Sequence, residues 1–273
     1  MGFSVGIGLT NACNLACAHC YRDTQSINYL SLDQVKKVCD SIPVDAMGMG
    51  TGENILNPDF VEIASYLNDQ GVKISIASNG HSLMTAPEHI LKMFSDVEVS
   101  IDFPSESEQD RFRGSGNWSL VHQAIERCQG LGIEVSILST LMCTNFDQMD
   151  SMVALARSDG CNLRVNAYQA VKTDAFRLSY EQFWEGYRRL FSAGLVVACS
   201  EPVVRAQQVY STAMRLDQGA QIVFRHCSSR DTKTAGRDFK SAVNDLTFAA
   251  SGCISEARHC VALMLPGKRS TVT

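Results

Sequence analysis

Three cysteines lie within eight residues near the start of the chain, in the run Cys13-Asn14-Leu15-Ala16-Cys17-Ala18-His19-Cys20-Tyr21. The spacing C-x3-C-x2-C reads as metal ligation rather than as disulfides. A [4Fe–4S] cluster has four irons, each needing an external ligand. Three thiolates on one loop leave one iron open, and an open coordination position is where a substrate or cofactor binds. The competing reading is a structural zinc site, which needs a fourth ligand. His19 could supply it, but it sits between two of the thiols and crowds the loop. The remaining cysteines are scattered, among them Cys39, Cys128, Cys143, Cys161 and Cys199. Scattered thiols in an intracellular chain are usually small buried hydrophobes.

A loop that grips a metal must itself be held, and the flanking sequence shows by what. Strand patterns at Phe3–Leu9, Asp45–Met49, Val72–Ala77, Val97–Ile101, Ile133–Leu138 and Leu163–Asn166 alternate with helix patterns. Ser31 with Gln34 and Ser179 with Gln182 fit capping boxes, the second opening an aromatic-rich helix with Phe183, Trp184 and Tyr187. Asn57 before Pro58 fits an N-cap with proline at the first helical position. Phe60, Ile63, Ala64 and Leu67 then share one face at i, i+3, i+4 and i+7. Gly71 and Gly132 sit where helix C-caps belong. Six βα units in succession predict an α/β fold, a partial (β/α)6 TIM-type barrel with its helices outside. Such barrels do their chemistry at the C-terminal strand ends. The unusual residues fall there: the cysteine loop after strand one, Gly50-Thr51-Gly52-Glu53 after strand two and Ser78-Asn79-Gly80 after strand three. Asp102 follows strand four, Thr140, Cys143 and Asn145 follow strand five, and Asn166 and Tyr168 close strand six.

Composition narrows the classes. The 273 residues are 45% hydrophobic and 19% charged, with mean hydropathy −0.05, enough for one large core and too apolar for disorder throughout. The net charge of −5 gives no overall nucleic-acid footprint. No apolar run of about 18 residues suggests a membrane span, and no secretory segment opens the chain, so the expected compartment is the cytoplasm. Charge is uneven: residues 1–224 carry −9 and residues 225–273 carry +4.

The cysteine run resembles the signature of the radical S-adenosylmethionine (SAM) superfamily, in the form common in its branch with SPASM or twitch C-terminal domains. The likeness extends over roughly residues 3–190. It implies that Cys13, Cys17 and Cys20 bind a [4Fe–4S] cluster whose open iron chelates SAM through its amino and carboxylate groups. One-electron cleavage then gives methionine and a 5′-deoxyadenosyl radical that abstracts hydrogen from substrate. Gly50-Thr51-Gly52-Glu53 is similar to the family's glycine-glycine-glutamate motif, with Thr51 replacing the first glycine; the resemblance assigns Gly52 and Glu53 to the SAM ammonium. Val99-Ser100-Ile101-Asp102 and Asp110-Arg111-Phe112-Arg113-Gly114 resemble the strand-four serine–aspartate and the arginine turn after it. Ser100 and Arg113 are thereby assigned to the SAM carboxylate, with Arg111 the rival, and Asp102 to ribose or substrate. Ser78-Asn79-Gly80 resembles a Thr-Asn-Gly motif expected at the ribose or the radical site, and His19 and Tyr21 are expected near adenine.

Two expected units follow, a radical SAM core at 1–200 and a C-terminal extension at 201–273. The extension offers only Cys227, Cys253 and Cys260, short of an auxiliary cluster's ligands, and reads as a truncated or degraded domain, or as one altered by a shifted reading frame. The branch implies a ribosomally made peptide as substrate. The segments Arg164–Tyr168 and Asp174–Ser179, with Gly-Thr-Gly-Glu-Asn, resemble peptide spliceases. Because the sequence opens directly on strand one, a separate leader-binding partner is expected, together with an electron donor such as flavodoxin or ferredoxin, and neither nucleic acid nor membrane. The alternatives at this point are a radical SAM enzyme acting on a small molecule or activating another enzyme, and a non-catalytic iron–sulfur or zinc protein.

Overall fold

A computed structural model describes residues 2–194 except Thr24. Six strands, β1 (Phe3–Gly8), β2 (Val44–Gly50), β3 (Lys73–Ser78), β4 (Phe94–Ser100), β5 (Val135–Leu141) and β6 (Asn162–Ala167), form one parallel sheet in sequence order. Helices α1 (Leu32–Ser41), α2 (Phe60–Asp69), α3 (His81–Thr85), α4 (Glu88–Leu91), α5 (Glu106–Arg113), α6 (Asn117–Gly130) and α7 (Met149–Ser158) fill the crossovers, and α8 (Tyr180–Ser192) follows β6. Adjacent parallel strands joined by crossovers of one hand carry their helices on one side, and the sheet curls into the expected partial TIM-type barrel.

The alternation of side chains along each strand separates two faces. On the helix side, Met47, Met49, Ile74, Ile76, Val97, Val99, Ile137, Leu163 and Val165 are buried in one core with Ile63, Leu67, Val121 and Met152 of the helices. The other face is small and polar. Register sets Gly6 beside Gly48, Gly48 beside Ser75, Ser75 beside Asp96, Glu98 beside Ser136, and Ser136 beside Asn162. Arg164 reaches across β5 to pair with both Asp96 and Glu98. Burial pushes the Glu98 carboxyl above its ordinary range, against the pull of Arg164.

Local signals account for most boundaries. Both capping boxes form, Ser31 with Gln34 and Ser179 with Gln182. Gly71 and Gly132 take left-handed φ of 71° and 76°, which glycine adopts without steric cost. The α2 face of Phe60, Ile63, Ala64 and Leu67 is buried as the periodicity requires. Asn57 is a correction: helix α2 starts at Phe60, and Asp59 is its N-cap. The Asn57 side chain instead accepts from the Asp59 N–H (2.7 Å) and donates to the carbonyls of Leu9 (2.6 Å) and Leu30 (2.9 Å). Long-range backbone satisfaction outcompetes local capping there. Strand β5 begins at Val135 rather than Ile133, because the Ile133 N–H bonds back to Cys128 and completes the end of α6. Strand β4 begins at Phe94, three residues before the apolar alternation is visible.

Candidate active site

The C-terminal ends of the strands gather the sequence-predicted residues. The loop after β1 carries the three thiols, all half-buried, and turns so that the Cys20 N–H donates to the Cys17 carbonyl (3.0 Å). Arg22 holds the loop from beneath, its guanidinium donating to the carbonyls of Asn11 and Leu15. Burial raises the Cys13 thiol pKa, while the Leu15 N–H and Arg22 pull it down; burial likewise raises Cys17, opposed by Arg113. Cys128 and Cys161 differ in kind: buried under the helices, they are pushed up to about 11 and about 12, as expected of inert core thiols.

The turn after β2 is pinned against this loop. Gly52 has φ +67°, and a Cβ there would lie 2.4 Å from the carbonyl oxygens of both Thr10 and Ala12. Only glycine permits so close a backbone approach. Thr51, where the family motif has glycine, is left-handed at φ 68°, costly for a β-branched residue, and its hydroxyl meets the Tyr21 hydroxyl at 2.8 Å. Glu53 is fully buried. Its carboxylate accepts from the Ser78 hydroxyl (2.5 Å), the Asn79 N–H (2.9 Å) and the Ser82 N–H (2.7 Å), and its own N–H donates to Ala12 (2.7 Å). A carboxylate has about four acceptor directions, so one more donor can still be taken. Ser78 is engaged twice, donating to Glu53 and accepting from the Gly80 N–H (3.0 Å).

Across the mouth, Asp102 is buried and bound on both oxygens. One accepts from the Thr140 N–H (2.8 Å); the other faces Arg113 Nε (2.8 Å) and Nη2 (2.7 Å). Burial alone would lower the Arg113 pKa, but the Asp102 carboxylate reverses that and keeps it charged. Arg111, on the same short helix, is exposed. His19 stacks on Phe112 with ring centroids 4.8 Å apart, and its Nε2 lies 3.9 Å from Asp102. Burial lowers the His19 pKa, Asp102 opposing, so the ring favours neutrality. Ser100 closes β4 beside Leu138.

Two amides organise this wall: Gln109, which the sequence does not single out, and Asn145, which it places after strand five without a role. The Gln109 side chain accepts from the Asp102 (3.0 Å) and Phe103 (3.2 Å) N–H groups and donates to Ser100 (3.2 Å) and Asn117 (2.8 Å). The Asn145 side chain donates to the carbonyls of Asp102 and Thr140, 2.9 Å each. Their one sequence signal is position, beside the arginine turn and just after strand five. Cys143 lies against the segment after β6, its N–H donating to Phe176 (3.2 Å).

Among the described residues, no three Cys, His, Asp or Glu side chains converge as the ligands of a single metal ion do. A four-iron cluster is wider, each thiolate meeting its own iron, and three half-buried thiols on one loop supply its donor set. The buried His19 Nδ1 has no partner, and the Gly52 turn offers backbone that a side chain would block. The residues therefore fit a cluster with a small polar ligand beside it. Cys199, Cys227, Cys253, Cys260 and the expected 201–273 unit lie outside the described residues.

Fold and loop together define a partial-barrel protein with three thiols gathered at its strand ends. The chain belongs to the Radical SAM superfamily, whose family model matches residues 7–156. It is 30% identical over 167 residues to the mycofactocin maturase MftC of Mycolicibacterium smegmatis, covering 58% of this chain and 42% of that protein. It is 33% identical over 109 residues to an S-adenosylmethionine-dependent nucleotide dehydratase of Selenomonas ruminantium, covering 37% and 40%. The chain thus spans less than half the length of these curated relatives. Streptococcus suis SuiB bound to its precursor peptide SuiA shares the fold, with TM-score 0.54 at 11% identity over 80% of this chain and 47% of that one. No helix among the described residues is long and apolar enough to cross a membrane.

Proposed function

We propose that this protein is a radical SAM enzyme that modifies a ribosomally made peptide. The observation that carries the reading is the juxtaposition of three half-buried thiols with the Gly52–Glu53 turn and the Asp102–Arg113 wall at one end of a parallel half-barrel. Cys13, Cys17 and Cys20 would hold a [4Fe–4S] cluster, and Gly52, Glu53, Ser100 and Arg113 would grip SAM beside it. When bound, these cofactors supply a 5′-deoxyadenosyl radical and with it hydrogen-atom abstraction; the protein supplies position and shelter.

The chain's own residues divide the remaining work. Glu53 keeps the β3 turn closed while one acceptor direction remains for an ammonium. Asp102 holds the Arg113 fork, whose remaining donors suit a carboxylate. His19 and Tyr21 flank the last thiol, Phe112 backing the imidazole, and either ring would meet a flat base. Ser78 and Asn79 shape the floor between them.

The relatives' names support a peptide, since one is a maturase and SuiB is seen with a precursor peptide. The nucleotide dehydratase supports a second reading, a small nucleotide substrate. A flavodoxin or ferredoxin would deliver the electron, and a separate leader-binding protein would present the peptide. The test incubates the full chain with SAM, reductant and either a precursor peptide encoded beside its gene or a panel of nucleotides, read by mass spectrometry. A SAM-dependent mass change in the peptide alone is expected. A change confined to a nucleotide overturns the peptide reading.

A further inference from the structure

The Asn79 side chain touches a predicted cluster ligand. Its Nδ2 lies 3.5 Å from Cys13 Sγ and 2.8 Å from Asn14 Oδ1. Its Oδ1 accepts from the His81 N–H at 3.1 Å. That last bond fixes the amide: an N–H faces Oδ1, so the NH₂ end must face the sulfur. The two Nδ2 hydrogens then match the two acceptors, sulfur and Asn14. The backbone of Asn79 is held as firmly, its N–H on Glu53 (2.9 Å) and its carbonyl on the Asn117 side chain (3.1 Å). The residue is 5% exposed. Cys13 Sγ also accepts from the Leu15 N–H at 3.4 Å, whereas Cys17 Sγ faces a carbonyl, that of Arg113, at 3.9 Å.

We propose that Asn79 is a positioning residue that sets the reduction potential of the cluster, by donating an N–H···S hydrogen bond to the Cys13 thiolate. The inference rests on the radical SAM reading above and deepens it. Adding an electron to a cluster increases the negative charge shared by its thiolates, and a hydrogen-bond donor aimed at a sulfur stabilises that state more than the oxidised one. Asn79 therefore makes the cluster easier to reduce. Glu53 acts through it, because the carboxylate that seals the β3 turn also fixes where this amide points. The role differs from a ribose contact, since both Nδ2 hydrogens are already engaged within the protein.

The test is a potentiometric titration of the full chain, reconstituted anaerobically and followed by EPR. At the wild-type midpoint, N79A is expected to show a reduced-to-oxidised ratio about threefold to tenfold lower, the upper bound equal to about 59 mV for one electron. N14A, which leaves the N–H···S bond in place, should stay within twofold. Iron per chain separates this from structural damage, which would lower cluster content without moving the potential. A second measurement needs no alteration of Asn79: with ¹⁵N-labelled asparagine side chains, pulsed EPR of the reduced protein should detect a nitrogen coupling that persists in N14A. An N79A protein with full iron and an unshifted potential overturns the inference, as does absence of that coupling. A wild-type chain with no four-iron signal overturns the reading beneath it instead.

Discussion

The Asp102–Arg113 pair is where residue type matters most. Two guanidinium nitrogens converge on one oxygen of a fully buried carboxylate, so removing Arg113 leaves a buried charge uncompensated. Arg113→Ala should cost about 3–5 kcal/mol of folding stability. Arg111→Ala, on the exposed side of the same helix, should stay within about 0.5 kcal/mol. Chemical denaturation of the two variants decides, and the reverse order would mean that the arginine turn has been misregistered. At this scale the sequence was informative where chemistry demands a rare residue type. The cysteine spacing was legible, and so was the preference for Arg113 over the exposed Arg111, because thiolates and guanidinium forks have few substitutes, whereas the pairing of Arg113 with a buried Asp102 was not foreseen. Gln109 was not legible, and Asn145 was marked only by its place after strand five, since an amide serving buried backbone looks in sequence like any surface polar residue. Glu53 stood out by its motif, but its three protein donors lie on a turn that begins 25 residues away.

Among the elements, the sheet carries its own titration signature. Asp96 and Glu98 on β4 share one guanidinium, Arg164 on β6. Burial raises the Glu98 carboxyl, so the folded state keeps its proton to higher pH than the unfolded chain does. Stability is then lost as pH rises from the ordinary glutamate range toward the raised value. Glu98→Gln has no such proton to lose, so the variant's melting temperature relative to wild type should climb as pH rises from the ordinary glutamate range toward the raised value. A relative decline over the same interval would mean that Arg164 outweighs burial. Element type was readable from apolar alternation and from the two capping boxes. Boundaries failed where a distant partner decided them. Asn57 looks like a helix start because its local chemistry allows it, yet its amide serves the carbonyls of Leu9 and Leu30. Nothing within ten residues of Asn57 in the sequence records that demand.

Over the whole molecule, the division of labour follows the sheet. One face is apolar and covered by helices, the other small and polar, and the strand ends between them hold the candidate site. The fold class was legible because six βα units leave few alternatives, whereas the substrate was not, because the polar face constrains size and charge but names no ligand. Every site candidate lies before residue 170, so a chain cut after Phe224 should retain cluster binding and substrate-free SAM cleavage. Iron per chain falling from about eight to about four on truncation would instead assign a second cluster to the removed residues. The central claim is that Cys13, Cys17 and Cys20 hold a cluster that cleaves SAM. It is tested most directly by measuring 5′-deoxyadenosine formed from SAM under strong reductant, by the full chain and by its Cys17→Ala variant, with iron counted in both. A brown wild-type protein that forms 5′-deoxyadenosine is expected, and a variant that has lost most of its iron and all of that product. Undiminished product from Cys17→Ala, or a colourless wild-type protein holding one zinc, would contradict it.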